Sequence, residues 1–159
     1  MTYELRVERV LNATAEEVFD AYTDAEAQKV WFRLGPDGPD DSIVEITNDL
    51  RVGGEYNAAW GDSPDRLFRE RGVYQVIDRP RRLLMASTGW TPDGESLDTT
   101  VEVTFEDVGG GKTRMVVLQR GFPTPEVRDF FATTAWIGLF ERMERYLALP
   151  KSRGVAERS

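Results

Sequence analysis

Cysteine and histidine are both absent from the 159 residues of the chain. Without cysteine the protein can form no disulfide, no thiolate nucleophile and no cysteine-based zinc site. Without histidine it lacks the commonest general base near neutral pH and the commonest transition-metal ligand. We therefore expect no bound metal and no other cofactor, and no residue stands out as catalytic.

Positive charge is also scarce, since 20 lysines and arginines stand against 28 acidic residues, which gives a net charge of −8. The arginines are scattered among carboxylates and form no basic stripe. An acidic surface repels phosphate backbones and anionic lipid head groups, so we expect no nucleic-acid partner and no membrane partner. No apolar run is long enough to span a bilayer, and charged residues such as Glu4 and Arg6 interrupt the segment where a signal peptide would lie. The predicted location is the cytoplasm.

The length predicts one domain over residues 1–150, with a flexible tail at 151–159. Apolar and charged residues alternate over residues 3–11, which predicts a strand with one wet face. Thr14 and Glu17 form a capping box that begins a short helix, and Thr23 with Glu26 repeats the signal for a second helix that ends at about Arg33. Residues 35–41 are predicted to be a loop. Six strands are predicted after it, at residues 43–49, 54–60, 67–78, 82–89, 97–106 and 113–120, with short turns that indicate an antiparallel sheet.

A long helix is predicted at the end of the domain, because Thr124 suits an N-cap and Pro125 suits the first helical position. It should run to about Leu149, where Pro150 stops it. An apolar stripe on this helix is predicted to face the sheet, and its members are Trp136, Phe140, Met143 and Leu147. Strands dominate the middle of the chain and helices are segregated from them, so the fold class is α+β.

Two patterns that suggest chemistry have simpler explanations. Gly109, Gly110 and Gly111 precede Lys112 as in part of a phosphate-binding loop, but a strand follows instead of a helix, which favours a hairpin turn. The acids Asp98, Glu102 and Glu106 share one face of a strand whose other face is apolar, so they are predicted to lie outside the core.

Aromatic residues occur in nearly every predicted element, and such a set can either fill a core or line a cavity. We predict a ligand cavity between the sheet and the long helix. Its predicted walls are Trp31, Trp60, Phe68, Tyr74, Trp90, Phe130 and Trp136. A core that is completely filled by these side chains is the alternative.

Several segments of the chain together carry a family resemblance. They are residues 19–24 with 30–32, 49–56, 72–76 with 80–83, 101–106 with 113–115, and 136–140 with Leu147. In order and spacing they resemble the family named after a domain of the activator of a heat-shock chaperone ATPase, within the START-like or SRPBCC superfamily. The resemblance covers residues 3–149. It implies a helix-grip fold, in which a bent antiparallel sheet wraps round a long C-terminal helix and two short helices follow the first strand. It also implies a cavity between sheet and helix.

Three functions remain open, because a fold does not determine an activity. The first is non-catalytic binding of a small apolar or aromatic ligand in the cavity. The second is an enzyme of the polyketide cyclase or aromatase kind, which would need an ionisable group inside the cavity. The third is an interaction module for a chaperone or another protein partner, which would need an exposed apolar patch.

Overall fold

The computed structural model describes residues 1–150, so the predicted tail at 151–159 lies outside the described residues. The elements follow the predicted order of strand, two helices, strands and a long helix. In chain order they are β1 (Tyr3–Leu11), α1 (Ala15–Thr23), α2 (Ala25–Trp31), β2 (Leu34–Gly35), β3 (Gly38–Pro39), β4 (Ile43–Asn48), β5 (Glu55–Ser63), β6 (Arg66–Asp78), β7 (Arg82–Trp90), β8 (Ser96–Gly109), β9 (Lys112–Phe122), α3 (Pro125–Phe130), a π-helical turn (Phe131–Ala135) and α4 (Trp136–Leu147).

Seven strands form one antiparallel sheet in the order β1-β9-β8-β7-β6-β5-β4. Consecutive strands from β4 to β9 pair with one another, and β1 joins the far edge beside β9. The three glycines before Lys112 all have positive φ; Gly109 ends β8 and pairs with Lys112, and Gly110 and Gly111 form the turn to β9, which confirms the hairpin interpretation.

The inner face of the sheet carries the core. Val101, Val103 and Phe105 of β8 are buried, and the alternation along the strand places Asp98 and Glu102 on the outer face, as predicted.

The segment predicted as loop from residue 35 to 41 contains part of a small hairpin, so that prediction was wrong in part. Leu34 pairs with Pro39 and Gly35 with Gly38. Gly38 has a φ of 109°, which lets the chain reverse within two residues, and the buried side chain of Leu34 anchors the hairpin to the core.

The caps of α1 and α3 match the prediction, whereas the cap of α2 does not. Thr14 accepts a hydrogen bond from the Glu17 amide at 3.2 Å, and the Glu17 carboxylate accepts one from the Thr14 amide at 2.9 Å. For α2 the capping side chain is Asp24, which accepts from the Ala27 amide at 3.1 Å, instead of Thr23. The buried Thr23 hydroxyl donates backwards to the Phe19 carbonyl at 2.8 Å, so it cannot turn towards the next helix.

The long C-terminal helix consists of α3, the π-helical turn and α4, and it ends two residues earlier than predicted. Trp136, Phe140 and Met143 are buried and Leu147 packs against the core, which confirms the stripe. α4 packs mainly against α1, α2, β2 and β1. The helix therefore covers the β1 side of the sheet interior most closely.

Candidate functional site

The inner face of the sheet becomes progressively more accessible towards one end. Along β6, Tyr74 is 5% exposed, Glu70 is partly exposed and Phe68 is 43% exposed. The neighbouring strands follow the same gradient, from buried Tyr56 to partly exposed Trp60 on β5. We call this accessible end the inner cleft, and its inward-facing residues are Trp60, Phe68, Glu70, Ser87, Gly89 and Leu97.

Glu70 is the ionisable side chain at the centre of the inner cleft. Strand pairing places it directly opposite Ala58 on β5 and Gly89 on β7, so all three lie on the inner face. The Ser87 hydroxyl donates a hydrogen bond to the Glu70 carboxylate at 2.7 Å. Burial raises the pKa of Glu70 above its ordinary value, and the hydrogen bond from Ser87 opposes that rise. Glu70 is therefore an inward-facing carboxyl group that the fold shields in part from water.

The two residues that flank Glu70 across the sheet leave room beside its carboxylate. Ala58 has only a methyl group. A Cβ atom added to Gly89 would meet the Arg69 carbonyl oxygen at 3.7 Å and no other atom beyond its chain neighbours within 4 Å. That distance is ordinary van der Waals contact, so a Cβ atom fits at position 89 without displacing a neighbour.

Aromatic rings form the wall at the open end of the cleft. Trp60 and Phe68 are stacked, with ring centroids 6.0 Å apart and planes at 13°. Phe32 meets Trp60 edge-on at 5.8 Å and lies 4.8 Å from Trp31, so the rings form a continuous row from α2 to β6. Flat rings in such a row offer an apolar surface against which another ring can stack.

Three tyrosines approach Glu70 from the closed end of the cleft, from α1, β5 and β6. Burial and then the charge of Glu70 raise the pKa values of Tyr22 and Tyr56 well above the ordinary value for tyrosine. Burial raises the pKa of Tyr74 to about 12, although its hydrogen bond to Asn48 opposes the rise. All three hydroxyls therefore stay protonated at neutral pH. The Tyr74 hydroxyl already donates to Asn48, whereas those of Tyr22 and Tyr56 can serve as hydrogen-bond donors.

A chain of buried polar side chains lies beside the cleft and reaches the long helix. The Gln119 amide nitrogen donates to the Thr99 hydroxyl at 2.9 Å, and the Trp136 indole nitrogen donates to the Gln119 carbonyl oxygen at 2.8 Å. Each of these polar atoms has a partner, so the chain ties β8, β9 and α4 together without an unpaired group.

The structure distributes the predicted cavity residues over three environments. Trp60 and Phe68 lie in the inner cleft. Trp31, Tyr74 and Trp136 are buried around it, and each donates a hydrogen bond to the protein.

The other two predicted wall residues lie away from the inner cleft. Trp90 pairs with Arg69 and Ser96. Ser87 and Gly89 face inwards on β7, and side chains alternate along a strand, so the Trp90 side chain lies on the outer face. Phe130 is 55% exposed on α3 and contacts Phe131 at a ring distance of 5.8 Å.

Sequence reasoning missed Glu70, although a signal for it exists. Positions 68, 72 and 74 are apolar or glycine at the same parity, so a carboxylate at position 70 interrupts an inward-facing row. A buried carboxyl group in a cleft is a common mark of a functional site.

Two open depressions elsewhere on the surface do not correspond to the predicted cavity. One, of about 370 Å³, lies on the outer face near Arg71 and Arg120, and the other, of about 500 Å³, lies at the turn that contains Gly53 and Gly54. Neither is lined by any of the residues predicted to wall the cavity. Within residues 1–150 no group of three acidic side chains is arranged to hold a metal ion, and no helix there is long and apolar enough to cross a membrane.

Comparison with known families identifies the chain at the family level. The model of the family described as activator of Hsp90 ATPase homolog 1-like protein matches residues 12–148. The chain belongs to this family. No curated protein matches it significantly.

Solved structures support the fold of this family member. A protein from Rhizobium leguminosarum is 24% identical, with 92% of this chain and 95% of that chain covered and a TM-score of 0.72. A protein from Rhodobacter sphaeroides is also 24% identical, with 91% and 89% covered and a TM-score of 0.69. CalU16 from Micromonospora echinospora is 17% identical, with 99% and 83% covered and a TM-score of 0.62. These likenesses confirm the helix-grip architecture that the sequence predicts.

The raised pKa of Glu70 leads to a prediction about the stability of this family member. The folded state holds the Glu70 proton more tightly than the unfolded state, so ionising it opposes folding. This contribution to stability is complete below the unfolded pKa and is lost as the pH rises through the folded pKa. The substitution Glu70→Gln should therefore raise the melting temperature relative to wild type more at pH 7 than at pH 4.

The control is Glu45→Gln, which makes the same change at an exposed position on β4. Thermal melts of the three proteins across this pH range test the prediction. A difference between Glu70→Gln and wild type that stays constant with pH would contradict it.

Proposed function

We propose that this protein binds a small apolar or aromatic molecule, without chemical conversion, in the inner cleft at the accessible end of the sheet's inner face. The observation that carries the proposal is the accessible inner face at Trp60, Phe68 and Gly89, whereas Tyr56 and Tyr74 on the same face are buried. Apolar rings that are exposed to water are costly, and a flat ligand that stacks on them removes part of that cost.

The size of the cleft beside Glu70 can be changed at one residue. Gly89→Val would place two methyl groups in the space beside the carboxylate, while valine suits a strand position. We expect the variant to stay folded and to bind ligands at least about tenfold more weakly, which equals about 1.4 kcal/mol of binding free energy. Ala86→Val is the matched control, because residue 86 lies on the outer face of the same strand.

The measurement is a titration with the neutral fluorescent dye N-phenyl-1-naphthylamine, with circular dichroism to confirm folding. Wild type and Ala86→Val should show saturable fluorescence enhancement, and Gly89→Val should show little. Native mass spectrometry should also show a bound small molecule in freshly purified wild type and none in the Gly89→Val variant. No saturable binding to folded wild type would refute the proposal, and equal binding by all three proteins would place the site elsewhere.

An enzyme of the cyclase kind is the second candidate, and Glu70 is the observation that favours it. A carboxylate with a raised pKa can take and return a proton at a bound carbonyl compound. The test is exchange of the acidic C–H protons of 2-tetralone for deuterium. Acceleration of this exchange by wild type but not by Glu70→Gln would favour the enzyme over simple binding.

Binding to a chaperone or another protein partner is the third candidate function, and the exposed apolar residues give it weaker support. The exposed apolar residues of the described chain are spread over different elements. They are Met1, Val10, Val30, Leu50, Val52, Phe68, Val108, Phe130 and Leu149. An interaction module needs a contiguous patch, which this distribution does not favour.

A further inference from the structure

Glu70 is the one charged side chain among the six residues that define the inner cleft. Glu70 accepts its hydrogen bond from the Ser87 hydroxyl, and none of the ion pairs within residues 1–150 includes Glu70. The guanidinium groups beside Glu70 in sequence, Arg69 and Arg71, lie on the outer face, where Arg71 pairs with Glu55. The carboxylate therefore faces the cleft without a counter-ion.

Aromatic rings lie on both sides of this unpaired carboxylate. Trp60 and Phe68 stand at the open end, and Tyr56 stands diagonally across the strand pair at the closed end. The face of an aromatic ring attracts a cation, and rings combined with a carboxylate form a recurrent cage for ammonium groups. The residues paired with Glu70 at positions 58 and 89 are small, so neither neighbouring strand places a bulky side chain directly opposite the carboxylate.

We infer that the molecule bound in the inner cleft is a flat aromatic compound with a protonated amine, whose ring stacks near Trp60 and Phe68 and whose nitrogen pairs with Glu70. This inference rests on the proposed function, because it specifies the ligand of the same cleft. An ammonium group supplies the counter-ion that the protein does not. An anionic ligand would place two negative charges together in a desolvated site, which is strongly unfavourable. The net charge of −8 also favours the approach of cations over anions.

The test compares three compounds with one ring system and different charge. They are 2-naphthylmethylamine, 2-naphthylmethanol and 2-naphthoate, which are cationic, neutral and anionic at pH 7. Isothermal titration calorimetry gives the affinities, and amide chemical shifts in a nitrogen-15 spectrum locate the binding site. We expect wild type to bind the amine at least about tenfold more tightly than the alcohol, and the naphthoate most weakly.

Variants separate this inference from the proposed function. Glu70→Gln keeps the shape of the side chain and should abolish the preference for the amine over the alcohol. Glu45→Gln makes the same change in net charge on the outer face and should leave the amine preference intact. Gly89→Val should weaken all three compounds.

Each outcome has a distinct meaning. Equal affinity of wild type for amine and alcohol would overturn the charge inference and leave the binding function standing. An amine preference that survives in folded Glu70→Gln would also overturn it, because the carboxylate would then not be the recognition group. Failure of all three compounds to bind folded wild type would count against both the inference and the proposed function.

Discussion

Replacing Met143 with alanine is expected to lower the free energy of unfolding by about 2–5 kcal/mol. Met143 is fully buried on α4, next to the fully buried ring of Phe140 one turn earlier. Truncation removes apolar contacts and leaves a void that the long helix and the sheet can close only in part. Urea unfolding followed by tryptophan fluorescence measures the loss as a lower midpoint with an unchanged slope.

The matched control for this prediction lies on the same helix. Glu141 is exposed, so Glu141→Ala keeps the helix and removes no core contact. It should change the free energy of unfolding by no more than about 0.5 kcal/mol. A Met143→Ala midpoint equal to that of the control would show that the stripe does not hold the helix on the core.

Replacing Gln119 with leucine is expected to cost about 1–3 kcal/mol of stability, although the two side chains are similar in size. Gln119 is buried and joins the Thr99 hydroxyl on β8 to the Trp136 indole on α4. Leucine would leave the indole N–H in the interior without an acceptor. A buried polar group without a partner loses its hydration and gains nothing in return.

A double-mutant cycle with Trp136→Phe isolates this hydrogen bond. Phenylalanine removes the indole N–H, so Gln119→Leu should be less harmful in that background, with a coupling of about 0.5–3 kcal/mol. Chemical denaturation of the four proteins provides the numbers. Additive effects of the two substitutions would indicate that water or another group satisfies the indole after Gln119 is lost.

The order of elements followed from local patterns because each pattern acts within a few residues. Thr14 with Glu17 and Thr124 with Pro125 begin helices through hydrogen bonds and backbone restrictions that involve only the next turn. The apolar stripe on α4 has a helical period, so burial on one face was readable without knowledge of the partner surface.

The position of the cleft could not be predicted in the same way. In the first half of β6 the even-numbered residues face inwards, and in the second half the odd-numbered residues do. Residues 68, 70, 72 and 74 face inwards, but a register shift between Tyr74 and Val76 brings Ile77 to the inner face. The apolar pair at 76 and 77 therefore gives no reliable guide to which residues of the first half point inwards. Glu70 also stands between two arginines, which is typical of an exposed strand with local ion pairs.

By itself the sequence determined the fold class, the family resemblance, the element order and the apolar stripe of the long helix. It also determined that any acid–base chemistry would need a carboxylate, tyrosine, lysine or arginine, since histidine and cysteine are absent. Only the tertiary structure decided that Trp90 faces outwards, that Trp60 and Phe68 stack at an open end of the sheet, and that Glu70 faces inwards between Ala58 and Gly89. The physical reason is that strand register is set by pairing between segments far apart in the chain, and one residue of shift moves a side chain to the opposite face.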